Sequence, residues 1–389
     1  MASDDGIESP AARRFGTGWI AGTLSVALGI VGLLAVACFH FPSYLTMPDV
    51  RHLYPLVWVR LLLHVILVAA FLAGCTSFVL RSDKTLGVVG MALALVAALL
   101  GGSRVPIDGP TTTGVYLGLD YVLLLFVLYS LIFIPMERVF GRLPQRVFRK
   151  DWKLDLAYFF ISTLLVQVTT FLTVAPAALL FGWAQGGTVQ QWVKAQPTAL
   201  QFLELVVIVD LAQYWIHRAF HVIPWLWRFH AIHHSTEVLD WMSGNRQHIV
   251  DAALTRGLIY IPAFALGFDE LPMILYVVLV SVQSVFIHAN VNFRFGRLSY
   301  LFATPHFHHW HHGVDREAVD KNFAIHLPVL DMLFGTFHLP LERWPRGYGV
   351  VPNDVPPGYF AQWAYPFLPK PARQPSALAK SDTPAPPPA

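Results

Sequence analysis

The sequence predicts an all-α fold: a polytopic integral membrane helical bundle that carries a histidine-rich, metal-binding helical cap on its cytoplasmic side. Three observations predict it. The 389-residue chain is 55% hydrophobic and only 13% charged, with a mean hydropathy of +0.52, whereas a soluble domain carries about 25% charged residues. Apolar runs of the length that crosses a bilayer, about 20 residues, recur along it. Twelve of the seventeen histidines lie between His217 and His312, and nine of those fall into two bursts.

In chain order, residues 18–40, 55–80 and 112–135 meet the length for a span, and 86–102 is shorter but free of charge. Segments 154–183 and 199–216 follow. Two shorter apolar runs, 252–267 and 271–288, are joined by a tight turn from Gly267 to Pro272 and read as a thin hairpin. The expected organisation is therefore a segment 1–17 on the cytoplasmic side, N-terminal transmembrane helices over 18–136, a histidine-bearing domain over 152–345 and a Pro/Ala-rich disordered tail over 369–389. The first span lacks a cleavage site before a polar stretch and is read as retained.

Lys and Arg collect in cytoplasmic loops. Arg13 and Arg14 precede the first span, Arg81 and Lys84 separate the second from the third, and six basic residues crowd 137–153. The intervening loops 41–54, 103–111 and 184–198 are poor in positive charge. An N-terminus in the cytoplasm satisfies this alternation and brings His217, His288 and His308–His312 to the same face. The net charge of +3 is accounted for by such loops, so no nucleic-acid partner is expected. Cys38 and Cys75 lie in apolar spans and read as small buried residues, excluding cysteine-based zinc or iron–sulfur sites. His64 and Asp120 are ionisable residues within spans and read as internal hydrogen-bonding groups.

The histidine spacing carries the chemistry. His217 and His221 are four apart, while His230 precedes His233 and His234 by three and four, as His308 precedes His311 and His312. Residues three and four apart share a helix face, so each group aims several imidazoles at one point. Imidazole is a common ligand of divalent iron, copper, nickel and zinc. The number exceeds what one ion needs and implies two. Structural zinc sites close with four ligands, often cysteines; eight or nine histidines suit two ions with open positions. Iron fits best, with zinc or another divalent metal compatible with the spacing. His40, His52, His326 and His338 read as ordinary loop histidines.

These runs resemble the three histidine boxes of the fatty acid hydroxylase/sterol desaturase superfamily. The first is Asp210-Leu-Ala-Gln-Tyr-Trp-Ile-His217-Arg-Ala-Phe-His221. The second is Trp227-Arg-Phe-His230-Ala-Ile-His233-His234-Ser235. The third is Thr304-Pro-His306-Phe-His308-His309-Trp-His311-His312, followed by Asn322 and the run from Asp331 to Thr336. The resemblance covers roughly 152–345. It implies a non-haem di-iron membrane enzyme that hydroxylates or desaturates a lipid. Residue by residue, it carries ligand roles to His217, His221, His230, His233, His234, His308, His311 and His312, with His288 as a ninth. His306 and His309 fall off the spacing and are expected outside the ligand set or facing solvent. His248 sits where the family often has His-Pro, but Ile249 follows it here.

An unactivated C–H bond yields to no acid, base or nucleophile, so its cleavage takes a redox metal and oxygen. Ligand imidazoles need acceptors for their second nitrogens. Asp210, two turns before His217, is the first candidate to accept from one; Asp331 and Glu237 follow. Asp210 and Asp331 are taken as the catalytic carboxylates. Tyr214 and Trp215 read as interface anchors. No haem domain, Rossmann glycine fingerprint or iron–sulfur motif is visible, so electrons are expected from a separate donor, a ferredoxin or a b-type cytochrome-like protein. The expected setting is a multi-pass protein of a bacterial inner membrane. A histidine-rich metal transporter is the alternative, but it would place ligands near the bilayer midplane. A metalloprotease would need His-Glu-x-x-His, which does not occur.

Overall fold

The computed structural model describes residues 16–47, 51, 55–106, 116–164, 179 and 181–369, and among these there are helices and no β-strand. Helix α1 is Trp19–His40, α2 Leu56–Leu80, α3 Thr85–Leu99, α4 Leu119–Phe140, α5 Trp152–Leu164, α6 Thr198–Val222, α7 Pro224–His234, α8 Ile249–Leu266, α9 Glu270–Phe286, α10 Pro305–His311 and α11 Val329–Leu333. Among the described residues six stretches are long and apolar enough to cross a membrane: α1, α2, Thr85–Arg104, α4, α6 and α8. The hairpin expected at 252–288 is present, but its first arm reaches spanning length while α9 is shorter. The predicted segment 154–183 is described only at its ends, as 165–178 lies outside the described residues. So do most of the N-terminal segment and the predicted tail from 370 onward.

Helices α1, α2 and α3 pack through small residues. A Cβ on Gly90 would sit 1.9 Å from Ser25 Oγ, and one on Gly87 would sit 2.8 Å from the Gly74 carbonyl. Ser25 Oγ donates to the Ala70 carbonyl at 2.6 Å. Lipid tails are as apolar as leucine, so helices associate in a bilayer by close backbone approach and by such bonds rather than by burying apolar area. The outward faces keep large exposed side chains such as Val57, Leu72 and Leu99.

Helix α4 ties this bundle to the histidine-bearing half. Its Leu119 and Leu123 pack with Cys38 of α1, and its Val122, Tyr129 and Phe133 share a core with Phe159, Trp241 and Val285. Asp120, at its start, accepts from the Met47 amide at 2.9 Å, an internal hydrogen bond as expected of it. Helix α6 is the central post of the second half, packed against α7, α8 and α9. Ile223 leaves α6 in an extended conformation and Pro224 opens α7. Proline disfavours helical geometry in the residue before it and is pre-organised for the first helical position, so the chain turns sharply between two histidine-bearing helices. The α8–α9 corner is made by Gly267 at φ 67°, a left-handed geometry that glycine adopts without a Cβ penalty.

Candidate metal centre

The nine histidines nominated from spacing and resemblance come together in two groups. His217 and His221 from the end of α6, His230 and His234 from α7 and His311 from α10 form the first. His233 from α7, His288 just beyond α9, His308 from α10 and His312 form the second. Within each group the facing nitrogens all lie within 4.8 Å of one another. The two groups adjoin: the rings of His234 and His312 stack at 4.3 Å, and His233 and His312 stand at 4.7 Å. The i, i+3, i+4 spacing of α7 splits its histidines, His230 and His234 to one group and His233 to the other.

Hydrogen bonds on the outer ring nitrogens fix how these imidazoles present themselves. His217 donates Nδ1–H to the Phe323 carbonyl at 2.7 Å, and His230 directs Nδ1 at Asp251 Oδ2 at 2.8 Å. Their Nε2 atoms then face each other at 3.1 Å. His233 donates Nδ1–H to the Arg246 carbonyl at 3.2 Å and His288 to the Ser284 carbonyl at 2.6 Å, and their Nε2 atoms also stand 3.2 Å apart. A carbonyl can only accept, which dictates the tautomer. Two imidazole lone pairs at hydrogen-bond distance repel unless a cation lies between them. Nε2 of His221, His234 and His311 are buried with no hydrogen-bond partner among the described residues. Such orphaned acceptors are exceptional in a folded protein, and three converge here.

Burial and the crowding of like groups push His233, His234, His308, His311 and His312 well below the usual histidine range, and His288 down to about 4, again chiefly through burial. Neutral imidazoles are the form that binds metal. The arrangement is thus two all-imidazole cups that could each hold a metal ion.

The carboxylates differ from expectation. Asp210 does not reach an imidazole. Its oxygens accept the backbone N–H groups of Ile325, His326 and Leu327, at 3.1, 3.2 and 2.7 Å. Asp331 likewise accepts from the amides of Phe323 and Ala324, at 2.7 and 2.9 Å, and from Thr336 Oγ1 at 2.7 Å. A buried extended segment exposes N–H groups that need acceptors, and these two aspartates supply them. They bear on the histidines indirectly, because this segment carries the carbonyls of Lys321 and Phe323 that hold His311 (2.8 Å) and His217 (2.7 Å). Asn322 lies between them at φ 61°, a conformation asparagine tolerates better than most residues. Its amide bonds the Phe307 and His338 carbonyls at 2.9 and 2.7 Å. Glu237 is exposed and paired with Lys150 at 2.8 Å.

Two other carboxylates meet clustered imidazoles: Asp320, 3.4 Å from His221 Nδ1, and the buried Asp251, which bonds His230 and also accepts from Gln247 and Thr255, at 3.1 and 3.2 Å. Sequence reasoning missed it. The available signal was an acid in the first turn of an otherwise apolar helix, close behind the second box. Glu137 of α4 was missed too: its Oε1 accepts the amides of Trp241 and Asn290, at 2.7 and 2.9 Å, pinning the loops after α7 and after His288. A buried alternation of charge fixes the Arg246 carbonyl: Arg149 grips Asp240 at 2.6 Å and Asp155 at 2.7 Å, and Arg246 meets Asp155 at 2.5 Å. Removing one member of such a network costs on the order of 3–5 kcal/mol.

Other histidines fall outside both groups. His248 caps α8, its Nδ1 accepting the Val250 amide at 3.1 Å. His306 and His309 are buried rather than solvent-facing. His306 bonds the Arg343 carbonyl at 2.7 Å, and His309 lies between Tyr348 Oη (2.7 Å) and the Ala289 carbonyl (3.1 Å). His326, expected in a loop, is buried beside Gln283 at 3.2 Å. Tyr214 is fully buried with its hydroxyl 2.8 Å from Thr336 Oγ1, so it packs the core instead of anchoring an interface, whereas Trp215 is half exposed.

A cavity of about 900 Å³ opens beneath the histidines. His217, His230, His233, His288 and His308 line it together with α4, α5, α6, α8 and α9, whose apolar contributions include Phe159, Ile259, Phe264, Val277 and Val280.

Residues 202–336 match the fatty acid hydroxylase family. The chain is 35% identical over 177 residues to ornithine lipid hydroxylase OlsE of Rhizobium tropici, covering 45% of this chain and 53% of that protein. It is 32% identical over 135 residues to human alkylglycerol monooxygenase, 35% of this chain and 30% of that one. A very-long-chain aldehyde decarbonylase of Oryza sativa subsp. japonica is 26% identical over 141 residues, 36% and 46% of the two chains. The chain thus spans about half the length of the bacterial relative and less of the others. No solved structure matches it. With the three boxes and the paired histidine groups, these similarities identify residues 202–336 as a fatty acid hydroxylase domain.

Proposed function

We propose that this chain is a membrane-bound non-haem di-iron oxygenase that hydroxylates or desaturates a lipid, using O2 and electrons from a separate donor protein. The observation that carries the reading is the position of two all-imidazole groups beside one large, mainly apolar cavity. His217, His221, His230, His234 and His311 would hold one ion, and His233, His288, His308 and His312 the other. The facing lone pairs and the three orphaned Nε2 atoms fit that occupancy. Iron accepts imidazole donors well and, when bound, supplies the oxygen activation and redox equivalents that C–H cleavage requires.

The chain's own residues do the rest. Asp251 and the carbonyls of Phe323, Lys321, Arg246 and Ser284 keep the ligand rings in one tautomer and one orientation. Asp210 and Asp331 act as positioning residues by bracing the 321–327 segment. The apolar walls receive a lipid and keep bulk water from the reacting carbon. Relatives named for ornithine lipid hydroxylation and alkylglycerol monooxygenation support a lipid substrate. The histidines of α6 occupy the end of its span rather than the middle, which argues against a transporter. The test is reconstitution of iron-loaded protein in bilayers of total polar lipid with a chemical reductant and isotopically labelled oxygen. One lipid class should gain a labelled oxygen atom or lose two hydrogens; no lipid change with fully loaded, reduced protein would sink the reading.

The same reading puts the histidine groups on the cytoplasmic side, where reduced carriers are available. Single cysteines at the exposed positions Glu237 and Gln191 report it. The first should resist an impermeant thiol reagent in intact cells and the second should react. The reverse pattern would invert the topology and remove the argument for a cytoplasmic donor.

A further inference from the structure

Residues 349–369 lie beyond the fatty acid hydroxylase match and contribute nothing to the two histidine groups. They carry one charged side chain, Asp354, against five aromatic ones. Within them a short helix, Tyr359–Ala364, runs on into a 3-10 turn, Tyr365–Phe367. A helix that meets water turns its polar residues outward, and this one does the reverse. Gln362 is buried, together with Tyr365 and Pro366. Phe360, Trp363 and Phe367, spaced i, i+3, i+7, are exposed instead, Phe360 to 83% and Phe367 to 60%.

The buried side of this hook is fastened to the histidine-bearing half. Arg228 of α7 donates to the carbonyls of Tyr365, at 2.8 Å, and of Leu368. Tyr365 packs with Ile232 of α7 and Tyr158 of α5. His248, the cap of α8, donates Nε2–H to the Trp363 carbonyl at 3.0 Å. The exposed side is continuous with the membrane spans. Phe229 of α7 stands 5.5 Å from Phe367 and 5.1 Å from Trp225. Trp225 is exposed, as are Val222 and Ile223 where span α6 ends. One apolar patch therefore runs from the end of α6 through Trp225 to Phe367 and Trp363, bordered by the start of span α8. An exposed apolar patch of this kind marks an interaction surface. Its contact with two span ends, its near lack of charge and its tryptophans, a residue type that collects at headgroup level, say that lipid covers it.

We infer that Phe360, Trp363, Phe367 and Leu368, with Trp225, form a monotopic anchor that lies in the membrane interface and takes lipid as its partner. The segment does not cross the bilayer; its aromatic face sinks into the boundary between headgroups and acyl chains. Through Arg228 and Tyr365 the anchor ties α7 to the same surface, and so sets the depth at which His230, His233 and His234 stand relative to the bilayer. The anchor is independent of the reaction those histidines support.

The test is nitroxide accessibility in the full-length protein, reconstituted in dioleoyl phosphatidylcholine bilayers in a Cys38→Ala, Cys75→Ala background. Phe360→Cys and Phe367→Cys carry the label. Leu72→Cys, on the outward face of span α2, is the lipid reference, and Glu342→Cys is the water reference. All four side chains are exposed, so the labels leave the packing intact. Molecular oxygen concentrates in the bilayer, whereas a polar nickel chelate stays in water. Labels at 360 and 367 should collide severalfold more with oxygen than with the chelate, in the order seen at 72. The opposite order, as at 342, overturns the anchor. So does weak collision with both reagents, which would mean that protein rather than lipid covers the patch.

Discussion

The two histidine groups are built from the same residue type and adjoin, yet they are braced differently. In the first, three of the five rings carry a hydrogen bond on the outer nitrogen, to Phe323, Asp251 and Lys321, and a fourth, His221, has Asp320 at 3.4 Å. In the second, His233 and His288 are held by carbonyls, while Nδ1 of His308 and His312 is buried without a partner among the described residues. The first group also has carboxylates beside it, at Asp251 and Asp320, and the second has only carbonyls. A carboxylate behind an imidazole raises its basicity and fixes its ring, and such partners change affinity by about 10–100-fold. The difference teaches that the first group is the more fully braced, so on the proposed reading it should hold its metal more tightly than the second.

The largest expected effects come from breaking either group outright. His217→Ala and His233→Ala should each abolish lipid oxidation while the protein still inserts in the membrane, and each should leave about one bound metal of two. Metal content together with product formation checks this; full turnover in either variant would remove that histidine from the ligand set. A smaller effect separates the groups. Asp251→Asn keeps the shape but loses the charge, and should weaken the first metal by about 10–100-fold and leave the second unchanged. Competitive metal titration of wild type and variant reads it. Equal weakening of both sites would show that the carboxylate acts on the whole cap rather than on His230. The smallest effect is expected outside both groups. His338→Ala should change activity and metal content little, because its main chain makes the bonds to Asn322 while its ring only packs edge-on against Trp310 at 4.8 Å. A large loss there would mean that the cap is less locally built than its hydrogen bonds indicate.

The legible part of this molecule was what spacing and hydropathy encode. Eight of the nine gathered histidines were identifiable from their i, i+3, i+4 intervals, and His288 followed from the family resemblance. The spans were readable because bilayer thickness fixes their length. What was not legible depends on long-range contact. Asp210 looked aligned with His217 on one helix face, but the acceptor it was meant to be is Asp251, brought in by α8 from 21 residues beyond His230. The buried segment around Asn322 created amides that claimed Asp210 and Asp331 instead. Glu137 sits in a helix without a chemical motif, and only its fold against Trp241 and Asn290 reveals its use. Tyr214 reads as an interface residue from its type alone, yet its place behind Thr336 buries it completely.

The account turns on two metal ions of one kind in two unequal cups. Purification under reducing, anaerobic conditions followed by quantitative metal analysis tests it directly. The result expected is about two irons per chain, removed by a chelator in two separable steps, the second group emptying first. An active protein with one tightly bound zinc and no iron would contradict it.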